Sequence, residues 1–206
     1  APEKCYVVES GVDSSLFKEP STEEKVNFRK VLNVSESDYL ISNLSFVVER
    51  KNTLLLVESL LFLPDNYKLL LLDEGNKAYL LKIKTFITEH GLTNRVIFEQ
   101  PVSHLEVNKL YMASDMMVLP SSYEGFPKVV LEALSCGLKV LGSGFDFGVK
   151  VSGYYTINNL NATSLSKLIL EVNKNNVIVD SAYVKEHFSW DNRARKINDI
   201  YEKILS

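Results

Sequence analysis

The sequence has few of the residues that mark several classes of protein. Its 206 residues include two cysteines, Cys5 and Cys136, and three histidines, too few for a disulfide framework or for the usual spacing of a zinc site. The 23 basic residues do not outnumber the 26 acidic ones, so nucleic acid is not expected as the main partner. No apolar run approaches the roughly 18 residues that cross a bilayer. What remains is the composition of a soluble globular protein, with 46% hydrophobic and 24% charged residues.

The first residues, Ala-Pro-Glu-Lys-Cys, lack the basic n-region and the apolar h-region of a signal peptide. We therefore expect a cytoplasmic protein. In such a protein the three Asn-x-Ser/Thr sequons, at Asn33, Asn43 and Asn161, arise by chance.

Short apolar runs alternate with stretches of helical period from residue 38 onward. The predicted strands are 38–48, 68–72, 95–99, 116–119 and 138–141, and the predicted helices are 52–64, 76–90, 103–114, 126–136 and most of the chain from 161 to the end. Strands separated by helices of about 10–15 residues are typical of βαβ units. We therefore predict an α/β fold with a doubly wound parallel sheet, in which ligands bind beyond the carboxyl ends of the strands.

The segment after the predicted strand 116–119 is a candidate anion site. It runs Pro-Ser-Ser-Tyr-Glu-Gly-Phe-Pro-Lys over residues 120–128 and leads into a helix. Pro127 suits the first helical position, where its missing N–H costs nothing. The amides around Phe126 and Lys128 would then be unpaired donors at the positive end of the helix.

Two carboxylates, Glu124 and Glu132, flank this helix start, eight residues apart. Glu124 could be favoured at a helix start by the dipole alone. Glu132 has mostly apolar neighbours in sequence, where an idle carboxylate is costly. On physical chemistry alone, a ligand site and an ordinary structural role for the pair both remain open.

Residues 122–137, Ser-Tyr-Glu-Gly-Phe-Pro-Lys-Val-Val-Leu-Glu-Ala-Leu-Ser-Cys-Gly, resemble the Glu-x7-Glu signature of a glycosyltransferase family. The family is the group 1 (family 4) class of retaining, nucleotide-sugar-dependent enzymes of GT-B fold. Further similar stretches occur in order at 10–17 (Ser-Gly-Val-Asp with Phe17), 110–121 (Leu-Tyr-Met-Ala-Ser-Asp with Leu-Pro-Ser) and 188–190 (Phe-Ser-Trp). The resemblance covers nearly the whole chain and implies a Rossmann-like fold, the C-terminal half of a GT-B fold.

The resemblance also implies a division of the chain. Residues 1–20 correspond to the interdomain crossover, 21–188 to the nucleotide-sugar-binding domain and 189–206 to a C-terminal closing helix. The chain is about half as long as a two-domain enzyme of this class, so we expect the N-terminal acceptor domain to be absent or on a separate chain. We expect this part alone to transfer little or no sugar, and the full enzyme to be able to associate peripherally with a membrane.

Roles for individual residues follow from the same resemblance. Glu124 is implied to face the transferred sugar, with Lys51 as the second catalytic residue, and Glu132 to bind the ribose hydroxyls. The implied donor-binding residues further include Arg50, Gly125, Phe126, Pro127, Lys128 and, through its backbone beside the base, Val102. The nucleotide-diphosphate sugar is the substrate, and no cofactor or catalytic metal is implied, in agreement with the lack of an Asp-x-Asp motif.

Two departures from the family pattern concern the phosphate site. The family's Gly-Arg pair aligns with Ser45-Phe46, so its phosphate-binding arginine is missing there. Arg50 could replace it, although adjacent residues such as Arg50 and Lys51 are expected to point in different directions, and a solvated arginine at a helix start is the alternative.

Other departures affect the loops around the donor. Asp73-Glu74-Gly75 stands where Gly-x-Gly is common, and Asp146-Phe147 with Lys150 replaces paired glycines and a glutamate. His104 is expected to be a surface or capping residue. The changes leave open a second function, a non-catalytic nucleotide-sugar-binding or partner-docking module descended from a glycosyltransferase.

Overall fold

Residues 5–205, described by a computed structural model, form a parallel sheet with helices on both faces. The strands are β1 (Tyr39–Asn43), β2 (Tyr67–Leu72), β3 (Val96–Glu99), β4 (Met116–Leu119), β5 (Lys139–Gly142) and β6 (Tyr154–Thr156). The helices are α1 (Thr22–Val31), α2 (Thr53–Ser59), α3 (Lys77–Glu89), α4 (His104–Ala113), α5 (Lys128–Ser135), α6 (Ala162–Lys174), α7 (Ser181–Phe188) and α8 (Trp190–Leu205).

The strand order within residues 5–205 is β3-β2-β1-β4-β5-β6, and every pairing is parallel. The order reverses between β1 and β4, so the loops after these two strands diverge to opposite sides of the sheet. That reversal forms the crevice in which ligands bind in doubly wound folds. The predicted fold class is confirmed.

Two hydrophobic cores, one on each face, hold the sheet. Side chains of α2, α3 and α6 pack on one face and those of α1, α4, α5 and α7 on the other. Strands such as β2 and β4 are buried on both faces, which explains their continuous apolar sequences. The fold therefore fixes the strand ends firmly, and the loops after them carry the variable chemistry.

The structure adds two elements that periodicity does not predict. Helix α1 begins at a capping box in which Ser21 and Glu24 satisfy each other's backbone amides. Strand β6 is only three residues long and lies at the sheet edge, paired with β5. Too few residues alternate there to give a strand signal.

Three predicted boundaries change. Strand β1 ends at Asn43 because the chain then turns and Val47 pairs with the loop after β2. Helix α5 starts at Lys128 rather than Phe126, so Pro127 is its N-cap and not its first helical residue. The carboxyl-terminal part, predicted to be mostly helical from residue 161 to the end, divides into three helices, α6 to α8.

The predicted division into crossover, donor domain and closing helix stays a prediction. Residues 1–4 of the crossover and Ser206 of the closing helix lie outside the described residues. Within the described part, the segment before α1 contacts the last helices: Val12 N–H donates to Phe188 O at 2.8 Å, and Trp190 N–H donates to Val12 O at 3.2 Å.

Candidate active site

The loops after β1, β4 and β5 are joined by backbone hydrogen bonds. Ser122 N–H donates to Arg50 O at 2.8 Å, and Glu124 N–H donates to Gly144 O at 2.8 Å. Gly144 has φ +82°, and a Cβ there would lie 2.8 Å from both Ser121 O and Tyr123 N. A glycine is therefore required where the third loop meets the second.

Glu124 is the centre of a charged cluster at these loops. Its Oε1 accepts a hydrogen bond from Ser121 Oγ at 2.8 Å and lies 3.1 Å from Arg50 Nη1 and 3.8 Å from Lys51 Nζ. The Glu124 and Lys51 side chains are only 9% and 12% exposed, whereas that of Arg50 is 52% exposed. A largely buried carboxylate therefore faces one buried and one accessible cation.

Arg50 and Lys51 reach the same oxygen although they are adjacent in sequence, contrary to the expectation that they point apart. Residues Glu49–Lys51 form a single 3-10 turn, which ends at Asn52 with φ 50°. The side-chain Nδ2 of Asn52 donates to Pro120 O at 2.8 Å and to Ser122 Oγ at 2.9 Å. The tight turn and this anchor direct both cations toward the loop after β4.

The environment of Lys51 disfavours its positive charge. Burial lowers the pKa of Lys51, and the neighbouring Arg50 lowers it further, while the charge of Glu124 acts in the opposite direction. An anionic ligand brought next to Lys51 would relieve this unfavourable burial of charge. The cluster is thus suited to binding an anion.

The start of α5 adds backbone donors to the cluster. Its N-cap is Pro127, no side chain caps the helix, and no acidic residue lies in the first turn. Lys128 is exposed, and a Cβ at Gly125 would meet nothing within 4 Å. The open helix start and the glycine before it leave room for a ligand at the positive end of the dipole.

Phe126, just before α5, packs against aromatic side chains that include Phe188 at the end of α7. Its ring stacks on Phe188 with centroids 5.9 Å apart and meets the edge of Phe147 at 5.6 Å. Phe147 is one of the residues that replace the family's paired glycines, and it takes part in this aromatic packing. Asp146 accepts a hydrogen bond from Gly148 N–H at 2.9 Å, and Lys150 is exposed.

Glu132 lies on α5 with a side chain that is only 8% exposed. Its Oε1 is 3.0 Å from Nε2 of His104, the first residue of α4. The carboxylate is therefore not idle, and it is paired separately from Glu124. His104 is exposed, as predicted, but its contact with Glu132 was not predicted, because 28 residues separate the two in sequence.

The remaining candidate residues lie around this centre. Val102, two residues before His104, is half-buried against the core. Phe46, at the place of the missing arginine, is 50% exposed, and its neighbour Ser45 donates to Asn43 Oδ1 at 2.6 Å. No cation therefore stands at the place where the family pattern has one.

Residues 5–205 contain neither a metal-binding cluster nor a helix suited to cross a membrane. No cluster of three or more His, Cys, Asp or Glu side chains in this range is arranged to hold a metal ion. No helix in the same range combines the length and apolarity needed to cross a membrane.

A parallel sheet with this strand order is a feature of nucleotide-binding domains. The model of one family, glycosyl transferases group 1, matches residues 24–196 of this chain. The chain belongs to that family.

Curated relatives agree with this assignment. An uncharacterized glycosyltransferase of Methanocaldococcus jannaschii is 25% identical, over 97% of this chain and 54% of its own length. A D-inositol 3-phosphate glycosyltransferase of Salinispora tropica is 26% identical, over 100% of this chain and 47% of its own length. The chain spans about half the length of these relatives.

Solved structures share the fold. HepE of Anabaena, determined in complex with UDP and glucose, superposes with a TM-score of 0.86 at 20% identity, over 96% of this chain and 56% of HepE. The C-terminal domain of a group 1 family glycosyl transferase (LpcC) from Francisella tularensis superposes with a TM-score of 0.69 at 15% identity. That match covers 91% of this chain and 98% of the LpcC domain. The expected fold, the C-terminal Rossmann-like half of a GT-B glycosyltransferase, is confirmed.

Proposed function

We propose that this chain is the donor-binding domain of a retaining glycosyltransferase. It binds a nucleotide-diphosphate sugar and presents the glycosyl group for transfer to a glycan, lipid-linked or polysaccharide precursor. The observation that carries the proposal is the convergence of Arg50 and Lys51 beside the uncapped start of α5. Two cations and a helix N-terminus in one crevice match the charge of a diphosphate.

The proposed roles divide the site into three parts. Lys51, Arg50 and the backbone amides near Phe126 and Lys128 bind the diphosphate, and Gly125 and Pro127 shape this helix start. Glu132 accepts hydrogen bonds from the ribose hydroxyls, and backbone groups near Val102 contact the base. Glu124 faces the sugar, between the transferred group and the cations.

Catalysis in this proposal is electrostatic. When the bond between the sugar and the diphosphate breaks, negative charge develops on the departing phosphate. Lys51, already disfavoured as a buried cation, and the helix start stabilise that charge without reorganising. The acceptor hydroxyl attacks from the face that the diphosphate leaves and passes its proton to the departing phosphate oxygen, so the anomeric configuration is retained, and the proposal invokes no metal ion.

The proposal extends to the whole protein. Its relatives are about twice as long as this chain, and we assign the missing half to an N-terminal acceptor domain, on the same or a separate chain. Transfer by the present part alone is expected to be negligible, because the acceptor would have no binding surface. We place the protein in the cytoplasm, with peripheral membrane association of the full enzyme.

A thermal-shift panel tests the donor site. UDP, GDP, ADP and their sugar conjugates are each added to the chain, with the corresponding nucleosides as controls that lack phosphate. At least one diphosphate is expected to raise the melting temperature through linkage of binding to folding, and the nucleosides much less. The shift should persist in EDTA. If no diphosphate changes the melting temperature, the proposed function is wrong.

A second function, a non-catalytic nucleotide-sugar-binding or docking module, is favoured by one observation. Phe46 is half-exposed where the family has its phosphate-binding arginine. Combining this chain with an N-terminal domain and candidate acceptors separates the two functions. Donor binding with transfer supports the enzyme, whereas donor binding without transfer supports the module.

A further inference from the structure

The contact between His104 and Glu132 joins an exposed side chain to a buried one. The Glu132 side chain is 8% exposed and that of His104 is 63% exposed, with 3.0 Å between Oε1 and Nε2. An ionised carboxylate can only accept hydrogen bonds, so a contact with ionised Glu132 requires the tautomer in which Nε2 of His104 carries the hydrogen and donates. An accessible ring therefore holds one oxygen of a buried acid.

The ring of His104 is itself held by the segment before α1. Phe17, which is fully buried, meets the imidazole edge-on with centroids 5.2 Å apart. Asn108, one turn further along α4, donates to Leu16 O at 3.2 Å and fixes the helix to the same segment. The imidazole thus has a set direction although most of its surface is open to solvent.

The other titratable neighbours of Glu132 stay neutral. Burial raises the pKa of Cys136 to about 12, and the charge of Glu132 contributes to that shift. Burial and the same carboxylate raise the pKa of Tyr111 as well. The contact that the geometry shows on this carboxylate is the one from His104, whose Nε2 lies 3.0 Å from Oε1.

We infer that His104 is a positioning residue for ribose recognition, an inference that rests on the proposed function. By holding Oε1, it fixes the plane of the Glu132 carboxylate and thereby the direction in which the acid accepts hydrogen bonds from the sugar. Without His104 the carboxylate loses this hydrogen bond and, with it, a fixed orientation. The nucleotide then binds less tightly, and the loss falls on the contacts to the ribose hydroxyls.

Two substitutions at position 104 separate the hydrogen bond from the ring. His104→Phe keeps an aromatic ring against Phe17 and loses the donor, whereas His104→Gln keeps a donor near the position of Nε2 and loses the ring. His90→Phe, at the end of α3 on the other face of the sheet, is the matched control. Each variant is titrated by calorimetry with UDP, GDP or ADP, whichever the wild type binds, and with its 2′-deoxy and 3′-deoxy forms.

The expected result for His104→Phe is an affinity about three- to tenfold lower and a smaller preference for the ribonucleotide over its deoxy forms. His104→Gln should retain most of the affinity and most of the preference for the ribonucleotide. His90→Phe should match the wild type in both respects. In a Glu132→Ala background, His104→Phe should add no further loss, since the two residues act through one contact.

The outcomes distinguish this inference from the function on which it rests. Failure of the wild type to bind any of the nucleotides overturns both. Binding by the wild type with an unchanged ribose preference in His104→Phe overturns the positioning role alone. Equal losses in His104→Phe and His104→Gln would also overturn it, because the ring and not the hydrogen bond would then matter.

Discussion

Three charged side chains, those of Glu124, Arg50 and Lys51, pair with one another in the candidate site. Arg50 and Lys51 both approach Oε1 of Glu124, so an incoming diphosphate must compete with a carboxylate for the same cations. Pairing of this kind keeps two like charges close together at modest cost. Glu124 therefore holds the two cations proposed to bind the donor close together.

Glu132→Ala should weaken binding of the nucleoside diphosphate by about tenfold or more, because hydrogen bonds to a charged group contribute about 1.5–3 kcal/mol. Calorimetric titration measures the change. Glu89→Ala, an exposed acid at the end of α3, controls for the loss of one negative charge. An affinity equal to that of the wild type would contradict the ribose assignment.

Arg50→Ala should lower the affinity for the diphosphate by about three- to tenfold. The loss is smaller than for a buried ion pair, because half of the Arg50 side chain is exposed. Adding Phe46→Arg to this variant places a cation where the family pattern has one, and part of the affinity should return. Arg195→Ala on α8 is the control. Full affinity in Arg50→Ala would show that Lys51 and the helix start suffice.

The buried thiol of Cys136 makes the free energy of unfolding depend on pH. Its folded pKa of about 12 lies above its ordinary value of 9.0, so the unfolded chain loses this proton first as the pH rises. The contribution of the thiol to the free energy of unfolding is fully present below pH 9 and is lost as the pH rises through about 12.

Between pH 8 and pH 10 the wild type should therefore lose about 1 kcal/mol more of its unfolding free energy than Cys136→Ala does. Urea unfolding at both pH values, with reductant present, measures the difference, and the tyrosines contribute equally to both proteins. Identical pH dependence in the two proteins would contradict a buried, neutral thiol.

At the scale of elements, the loops after β1 and β2 are fastened to each other. Val47 N–H donates to Glu74 O and Asn76 N–H donates to Val47 O, both at 2.8 Å. A Cβ at Gly75 would lie 2.1 Å from Val47 O. The glycine that this sequence keeps from the family's Gly-x-Gly pattern is thus required by close packing of backbone against backbone.

Gly75→Ala should accordingly lower the unfolding free energy by about 1–3 kcal/mol, the usual cost of overpacking. Because Val47 leads into the turn that carries Arg50 and Lys51, donor affinity should fall with it. Glu74→Ala, next in sequence and exposed, is the control for both measurements, by urea unfolding and by calorimetry. A variant as stable as the wild type would mean that the loops can separate freely.

The sequence predicts elements well where many residues repeat a pattern, and contacts poorly where a few distant residues meet. The continuous apolar run at residues 116–119 predicts strand β4, and the motif around Glu124 predicts helix α5. The convergence of Arg50 and Lys51 depends on a single left-handed residue, Asn52, which periodicity cannot reveal. The pairing of His104 with Glu132 depends on how α4 packs beside α5, a tertiary contact without a local signal.

At the scale of the whole molecule, the two ends of the described chain support each other. Glu9 Oε2 lies 3.0 Å from Arg193 Nη1 and 3.1 Å from Lys196 Nζ. The Arg193 side chain is 6% exposed, and its guanidinium also faces the ring of Phe188 at 4.8 Å. The segment before α1 and helix α8 are therefore one structural unit.

Glu9→Ala would leave the buried guanidinium of Arg193 with less compensation for its charge. We expect a loss of about 1–2 kcal/mol of unfolding free energy, discounted because Glu9 is one-third exposed. Urea unfolding measures it, and Glu171→Ala on the exposed face of α6 is the control. Donor affinity should stay unchanged, which separates this effect from those at the site.

The fastened loops also have a kinetic consequence. Because backbone bonds from Val47 to Glu74, from Ser122 to Arg50 and from Glu124 to Gly144 join these loops, we expect that no loop needs to close before the nucleotide is bound. Stopped-flow traces should then fit one exponential whose rate constant rises linearly with nucleotide concentration, without the plateau that a slow rearrangement imposes.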